Sequence, residues 1–456
     1  MIIHSVQDIL NEVVNPGYCS GCGVCTVSGS LKMQLNSNGQ FLPVLTKNPN
    51  QKAVCPFTSN DIDENDIARQ KFHDAQYHPD LGYYLNIYAG YVKKGNYRKK
   101  GSSGGSVTWF TDSLLQHGLV DYIIHVKENN QAEIRFSYDI SNSVNESVKA
   151  SKSKYYPVNL EAVLQYIQQH EGKYAIVGLP CFIKAIHLLK KTNSVFEKRI
   201  KYTISLFCGH LKTTHYLSSL IAQFKVTEQQ VKHFDFRHKI PGQKVTDYAT
   251  KIVTREGKEL IKNNKDLFGT NWGWGLFKLK ACDYCDDIIG ETADISFGDA
   301  WLDKYEDDYL GTNIVVVRDT VLDQLLKNLI DKEEVFYENL SPEELLKSQA
   351  GGYRHRREGL AYRLYLQQKK GNIVPKKRVK PKKIKSRKRR KLYKIRMQLQ
   401  EKSVESKNYK NITELKNELM PLIKKMEKLY EHSLWTKFRL KLKKWLKKYL
   451  YITSIV

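Results

Sequence analysis

The eight cysteines are the residues whose type and spacing most directly indicate chemistry in this chain of 456 residues. Four lie near the start, as Cys19-SG-Cys22-GV-Cys25 and then a Cys-Pro pair at Cys55. An iron–sulfur cubane needs four thiolates on a compact backbone, and a CxxCxxC segment supplies three of them from one turn. A structural zinc site is the alternative, although zinc sites more often use two CxxC pairs. The spacing predicts one [4Fe–4S] cluster on these four cysteines.

The other four cysteines leave several alternatives open. Cys181 and Cys208 end the apolar segments VGLPC and SLFC, and Cys282 and Cys285 form a CxxC pair. Cysteines that follow parallel strands gather at one edge of a sheet, where α/β proteins place their sites. A second cluster, a zinc site, a redox pair and buried core thiols all remain compatible with this spacing.

A segment rich in glycine and serine, RKKGSSGG at 98–105, joins a predicted strand to a helix that begins at Ser106. Small residues at a helix N-terminus, preceded by cations, suit a phosphate, because free backbone amides and the helix dipole both favour an anion. The segment is neither a GxGxxG motif nor a Walker loop. From the pattern alone, a flexible surface loop competes with a phosphate site.

Strand-like and helix-like segments alternate between these motifs, which predicts an α/β core with at least partly parallel strands. We expect this core at 85–350, where it would carry the glycine loop and the later cysteines. Residues 1–80 are rich in loops and are expected to form a small ferredoxin-like domain around the first cysteine set.

The net charge of +26 is concentrated at the end of the chain. Residues 351–456 hold 34 Lys/Arg and 7 Asp/Glu, a balance of +27, so that residues 1–350 carry −1. This composition predicts a basic linker at 351–395 and a helical basic tail at 396–456. No segment has the roughly 18 consecutive apolar residues of a spanning helix. With no signal-peptide pattern at the start, a cytoplasmic protein is expected.

The last residues of the tail predict an amphipathic helix, with Trp435, Phe438 and Trp445 on one face and Lys/Arg on the other. Such a helix suits either an anionic membrane surface or packing on protein, so a peripheral position at the inner membrane face stays open. The basic run 376–396 contains Tyr393 as its only aromatic residue, which disfavours nucleic-acid binding.

Eight short motifs together resemble the coenzyme F420 hydrogenase/dehydrogenase beta-subunit family, which includes the ferredoxin-dependent 7-hydroxymethyl chlorophyll a reductase of plants. In chain order they are CSGCGVC with its later CP, GSSGG, SKY, GLPC, FCGH, FDFRHK, CDYC and ISFGDAW. The resemblance implies an iron–sulfur flavoprotein with FAD. By matching motifs it implies a second cluster on Cys181, Cys208, Cys282 and Cys285, and a flavin site at Ser102, Ser103, Gly104, Gly105, Lys154, Phe236 and Arg237.

The expected function is an oxidoreductase that passes electrons from ferredoxin or a similar donor through the clusters to FAD and an organic substrate. Similar proteins occur in bacterial surface-polysaccharide clusters, which makes a role in that biosynthesis an expectation. The alternative is a non-catalytic iron–sulfur scaffold of an envelope-polysaccharide machine.

Three single residues are further candidates for a role at the site. Trp109 is expected as a ring in the substrate pocket, His210 as a core histidine or a donor, and Asp299 as a ribose ligand or a turn cap.

Overall fold

The computed structural model describes residues 3–58, 62–129 and 134–430. The α-helices are α1 Val6–Ile9, α2 Glu64–Lys71, α3 Tyr97–Lys100, α4 Ser106–Gln116, α5 Val144–Ser147, α6 Glu161–Gln169, α7 Pro180–Lys190, α8 Ser194–Arg199, α9 Thr214–Gln223, α10 Thr320–Asp331, α11 Pro342–Ser348, α12 Ala350–Arg354, α13 Leu360–Lys369, α14 Arg387–Glu405 and α15 Ile412–Tyr430.

The strands are β1 Ile3–Ser5, β2 Leu31–Leu35, β3 Phe41–Leu45, β4 Lys52–Val54, β5 Gln76–His78, β6 Gly82–Tyr84, β7 Asn86–Val92, β8 Tyr122–Glu128, β9 Phe136–Ser141, β10 Tyr174–Gly178, β11 Ile200–Leu206, β12 Val231–His238, β13 Ala249–Thr254, β14 Glu259–Asn263, β15 Ile295–Asp299, β16 Asn313–Val317 and β17 Val335–Asn339.

An eight-stranded sheet organises the molecule, in the order β17-β7-β16-β15-β11-β10-β8-β9. The four central strands β15, β11, β10 and β8 are parallel, and antiparallel strands flank them on both sides. The mixed α/β core expected from the sequence is therefore confirmed. Because β10 and β11 are parallel, the segments that follow them, with Cys181 and Cys208, leave the sheet at the same edge.

Both faces of the sheet are buried, which explains why its central strands are continuous apolar runs. In β10 the side chains of Tyr174 and Ile176 pack into the layer with α6, α7 and α9. Ala175 and Val177 alternate with them and pack into the opposite layer with α4 and α10. This burial fixes the strand register and holds the loops at the carboxyl edge in place.

The N-terminal segment packs directly on the rest of the chain. Its hairpin of β2 and β3 turns at Gly39, where φ is +69°. Tyr18, Cys25 and Cys55 share one hydrophobic cluster with Tyr284 and with Leu360 of α13. Whether 1–80 is a ferredoxin-like domain stays a prediction, but its cysteines lie in a core that later segments complete.

The basic segment 351–395 differs from the linker that the sequence predicts. It contains α12, α13 and the start of α14, and the side chains of Arg356 and Arg363 in it are each 1% exposed. A run of charged residues is usually interpreted as solvent-exposed. Here acidic side chains and backbone carbonyls in the body of the protein bind the cations. The segment is part of the folded body.

The helices α14 and α15 pack against each other, and buried leucines of α15 join the core. None of the helices in the described ranges combines the length and the apolar run needed to cross a bilayer. The predicted terminal amphipathic helix lies outside the described residues, so its docking on an anionic membrane stays a prediction.

Candidate functional site

The first cysteine set surrounds a small buried space. Cys19, Cys22, Cys25 and Cys55 all line it. Two glycines allow the chain to turn between the cysteines, since Gly21 and Gly23 have φ of +75° and +82°, which side chains rarely tolerate. The Gly21 amide donates to the Cys19 sulfur at 3.3 Å. An amide directed at sulfur is the kind of contact that supports a thiolate ligand.

The second cysteine set meets in the same manner, which spacing alone left open. Cys181 lies in the first turn of α7, Cys208 follows β11, and Cys282 and Cys285 lie in and directly after a short 3-10 helix, Lys280–Tyr284. All four line one small space. The Leu211 amide donates to the Cys282 sulfur at 3.2 Å.

Burial raises the pKa of the thiols in both sets, and neighbouring cysteines add to the effect. The pKa of Cys55 rises to about 12, that of Cys208 to about 12 and that of Cys282 to about 11. Four adjacent buried thiols are poor thiolates on their own, because each negative charge opposes the next. A cationic cluster core removes this penalty, so the donor chemistry of both sets fits a cubane.

Within the described residues, no three His, Cys, Asp or Glu side chains converge closely enough to hold a single metal ion. The cysteines of each set surround a space instead.

The two cysteine sets and a larger cavity lie in series. Ser20 and Phe57 line the spaces of both sets. Cys208, with Leu179 and Leu211, lines both the second space and the larger cavity. The second set therefore lies between the first set and the cavity.

The larger cavity has a volume of about 280 Å³ and lies at the carboxyl edge of the sheet. This volume is near the lower end of the roughly 300–1,000 Å³ common for small-molecule sites. Five of the residues matched to the flavin motifs line it: Ser102, Ser103, Gly105, Lys154 and Arg237.

Two of the matched residues do not line this cavity. A Cβ at Gly104 would lie 2.8 Å from both the Gly90 carbonyl oxygen and the Asn313 Oδ1, so this glycine permits a close approach of backbone segments. The Phe236 ring is 1% exposed and packs edge-on against the Tyr155 ring, which does line the cavity. Both residues therefore support the cavity wall from behind.

Hydrogen bonds from distant segments hold the glycine loop in place, so it is not a free surface loop. The Ser153 amide donates to Ser102 Oγ at 2.9 Å. Lys239 Nζ donates to the carbonyl of Ser103 at 2.7 Å and to that of Arg98 at 2.5 Å. Asn313 Oδ1 accepts from the Ser106 amide at 3.2 Å, which caps α4 where it faces the cavity. Lys239 is the last residue of the motif FDFRHK, although its contact with the loop could not be predicted, and Asn313 lies outside the motifs that carry the resemblance.

Buried cations surround the cavity. Burial lowers the pKa of Lys154 to about 7. Burial opposes the charge of Arg237, but Asp299 at 2.7 Å from its Nη1 raises the pKa above its usual value. Asp299 thus forms an ion pair with Arg237 and also lines the cavity, and its role toward a ligand stays a prediction.

Three buried polar atoms of cavity-lining residues have no hydrogen-bond partner in the described part of the chain. They are Ser106 Oγ, His210 Nε2 and Arg237 Nε. A buried polar atom without a partner costs free energy, so these atoms indicate a site that a polar ligand completes. His210 therefore faces the cavity, unlike the core histidine that the sequence favoured.

Trp109, expected as a ring in the substrate pocket, does not line the cavity. Its ring is 1% exposed in the helix–sheet layer, and its Nε1 donates to Glu334 Oε2 at 3.1 Å. The apolar stripe of α4 turns this residue towards the core, which its position just after the loop does not reveal.

Comparisons with known proteins support the resemblance of the motifs. The chain is 26% identical over 304 residues to the coenzyme F420-dependent sulfite reductase of Methanocaldococcus jannaschii, covering 63% of this chain and 43% of that protein. The match thus spans less than half the length of that relative. An uncharacterized protein of the same archaeon is 23% identical over 332 residues, covering 66% of this chain and 86% of its own length.

Among solved structures, a chain of the F420-reducing [NiFe] hydrogenase complex from Methanosarcina barkeri aligns with a TM-score of 0.49 and 16% identity. The alignment covers 64% of this chain and 96% of that one.

Two family models match adjacent parts of the core. The model for the N-terminal part of the coenzyme F420 hydrogenase/dehydrogenase beta subunit matches residues 87–165, and the model for its C terminus matches residues 171–343. Together they span the sheet, the glycine loop and the second cysteine set. The chain belongs to the coenzyme F420 hydrogenase/dehydrogenase beta-subunit family.

Proposed function

We propose that this protein is an iron–sulfur flavoprotein oxidoreductase. In this proposal a one-electron donor such as ferredoxin delivers electrons, two [4Fe–4S] clusters on the two cysteine sets carry them inward, and a flavin in the cavity of about 280 Å³ passes them to an organic substrate. The family and its named relatives support an oxidoreductase role.

The serial order of the three sites carries the proposal. Ser20 and Phe57 are shared by the two cysteine sets, and Cys208 is shared by the second set and the cavity. A cysteine set that bound metal only to stabilise the fold would not need to line a ligand cavity.

The cavity residues suit FAD as the ligand. A flavin would supply the conversion between one-electron and two-electron transfer. The capped N-terminus of α4 and the cations Lys154 and Arg237 would bind its phosphates. Lys239 and Ser153 would keep the glycine loop closed around them, because both bind loop atoms directly.

Two features concern the substrate end of the cavity: the names of the relatives and the side chain of His210. The names of the sulfite reductase and the hydrogenase complex refer to coenzyme F420, which makes a deazaflavin one candidate for the substrate. His210 beside Cys208 would hold a proton or donate a hydrogen bond to a bound ring from its free Nε2. A role in polysaccharide biosynthesis stays a prediction from the resemblance.

The test is to count metals and follow flavin reduction in protein purified without oxygen. Two cubanes predict roughly eight iron and eight sulfide per chain, with a flavin absorbance spectrum. The Cys282→Ala protein should lose about half of the iron and keep its flavin. A one-electron donor should no longer reduce that flavin. Cys19→Ala is the matched variant, since it should lose the other half.

Each result separates the alternatives. A metal content of roughly four iron and one zinc per chain would indicate a zinc site in place of the second cluster. Full iron without any flavin would favour the non-catalytic scaffold. A Cys282→Ala protein whose flavin is reduced at the normal rate would overturn the relay.

A further inference from the structure

Arg356 is a buried cation at the second cysteine set. It lies in the short π-helix His355–Gly359, beyond the family-matched residues 171–343. The residue is 1% exposed and lines the same space as the four cysteines. Its Nη2 donates to the carbonyl of Cys208 at 2.6 Å and to that of Gly209 at 2.8 Å. The guanidinium is therefore fixed in position by backbone on one side of the set.

This guanidinium has no carboxylate partner among the described residues, and its buried Nε has no hydrogen-bond partner there. Other buried cations of the segment differ, since Arg363 pairs with Asp283 and Lys377 with Asp286. An unpaired charge at such depth costs several kcal/mol unless a counter-charge is present. The groups that line the same space as this guanidinium include the thiols of Cys208, Cys282 and Cys285.

Among the described residues, no Lys or Arg lines the space of the first cysteine set. Of the described cations, Lys377 contributes to the field at Cys55, and its Nζ is 3.6 Å from Asp286. The two sets differ in their linings, because a buried guanidinium lines the inner space and no described Lys or Arg lines the outer one.

A cubane with its four thiolates is an anion, and each added electron makes it more negative. A fixed positive charge stabilises the reduced state more than the oxidised state, since burial strengthens the interaction. We infer that Arg356 is a positioning residue that holds the reduction potential of the second cluster above that of the first, so that electrons move inward.

This inference rests on the proposed function. One electron leaves the external donor and reduces the first cluster. The same electron then moves to the second cluster, so that the first cluster is oxidised again and the second is reduced. No bond forms or breaks, and no proton is needed in this transfer.

The experiment is a redox titration of the holoprotein, monitored by electron paramagnetic resonance, in the wild type, Arg356→Gln and Arg356→Lys. The Cys282→Ala protein identifies which signal belongs to the second cluster. Arg356→Gln should lower the equilibrium constant for reduction of that cluster at least tenfold, which is about 59 mV for a one-electron couple. Arg356→Lys should retain most of the wild-type potential, because it keeps the charge.

Arg354→Gln is the matched control. This residue is exposed and two positions away, so the same loss of charge should leave both potentials unchanged. Unchanged potentials in an Arg356→Gln protein that holds both clusters would overturn the inference. If Arg356→Gln loses the second cluster, retention in Arg356→Lys supports the charge role, whereas loss in both variants contradicts it.

The failure of the proposed function is a separate outcome. It would be visible in the wild type as a protein without two clusters, before any Arg356 variant is compared.

Discussion

Replacing Arg378 with methionine should destabilise the whole protein, because this arginine joins three distant segments. Its Nη1 and Nη2 lie 2.5 Å and 2.9 Å from the two carboxylate oxygens of Glu291, and its Nε lies 3.5 Å from both Glu64 and Asp286. Glu291 and Glu64 are 2% and 4% exposed. The variant would leave these buried carboxylates with fewer positive partners.

Removing one partner of a buried ion pair costs about 3–5 kcal/mol. The entropy of unfolding near 60 °C is about 2.1 cal/mol/K per residue, which for a chain of this length gives about 1 kcal/mol per kelvin. The expected fall in Tm is therefore about 3–5 °C.

A thermal scan of the holoprotein measures this shift, together with iron content. Arg387→Met is the matched control, since Arg387 is an exposed cation of the same basic segment, and it should leave Tm nearly unchanged. The double variant Arg378→Met with Glu291→Gln should recover part of the loss, because it removes the unpaired carboxylate as well.

Two results would contradict this reasoning. Equal Tm values for Arg378→Met and Arg387→Met would mean that the segment around Arg378 is not part of the cooperative fold. Additive losses in the double variant would mean that Arg378 and Glu291 do not interact.

Further predictions concern the sites and pH. Cys55→Ala and Cys22→Ala should abolish the same spectroscopic signal, because both line one space; two different losses would contradict one shared cluster. Thr108→Glu should expel the flavin by placing a carboxylate in the cavity at the start of α4, whereas Thr108→Gln should retain it; equal flavin content would refute the phosphate site. The hydrogen bond to Glu128 raises the pKa of His233, so its contribution to stability is present below the unfolded pKa of about 6.5 and fades as pH rises through the higher folded value. Urea unfolding of His233→Gln should thus show a larger deficit from wild type at pH 5.5 than at pH 8.5; a pH-independent deficit would contradict this.

The alternating core could be predicted from the sequence because its elements carry strong local signals. The strand predicted before the glycine loop is β7, Asn86–Val92, and the helix predicted to begin at Ser106 is α4, Ser106–Gln116. The positions of Cys181 and Cys208 after two strands predicted that the two residues lie close together, because parallel strands end at the same edge of a sheet. Patterns of period two and 3.6 were sufficient for these elements.

The basic segment could not be placed from the sequence, because a count of charges contains no information about partners. Lys377 and Arg378 belong to a run rich in basic residues, and their partners Asp286 and Glu291 lie about 90 residues earlier, in CDYCDDIIGE. A usable signal was present in Val374, Val379 and Ile384, which interrupt the run with apolar residues and pack inward. At Gly104 the spacing likewise does not show that the glycine allows two backbone segments to approach closely.

The position of Arg356 in the chain has a consequence for biogenesis. All eight cysteines have left the ribosomal active site by residue 285, and Arg356 follows 71 residues later. At about 5–20 residues per second, this leaves roughly 4–14 s in which both cysteine sets exist without the segment that covers them. Under the proposed function, iron and sulfide would reach the cysteines in this interval, before the covering segment is present. Once α13 and the Arg378 contacts form, loading would require local unfolding, so cofactor insertion and completion of the fold compete in time.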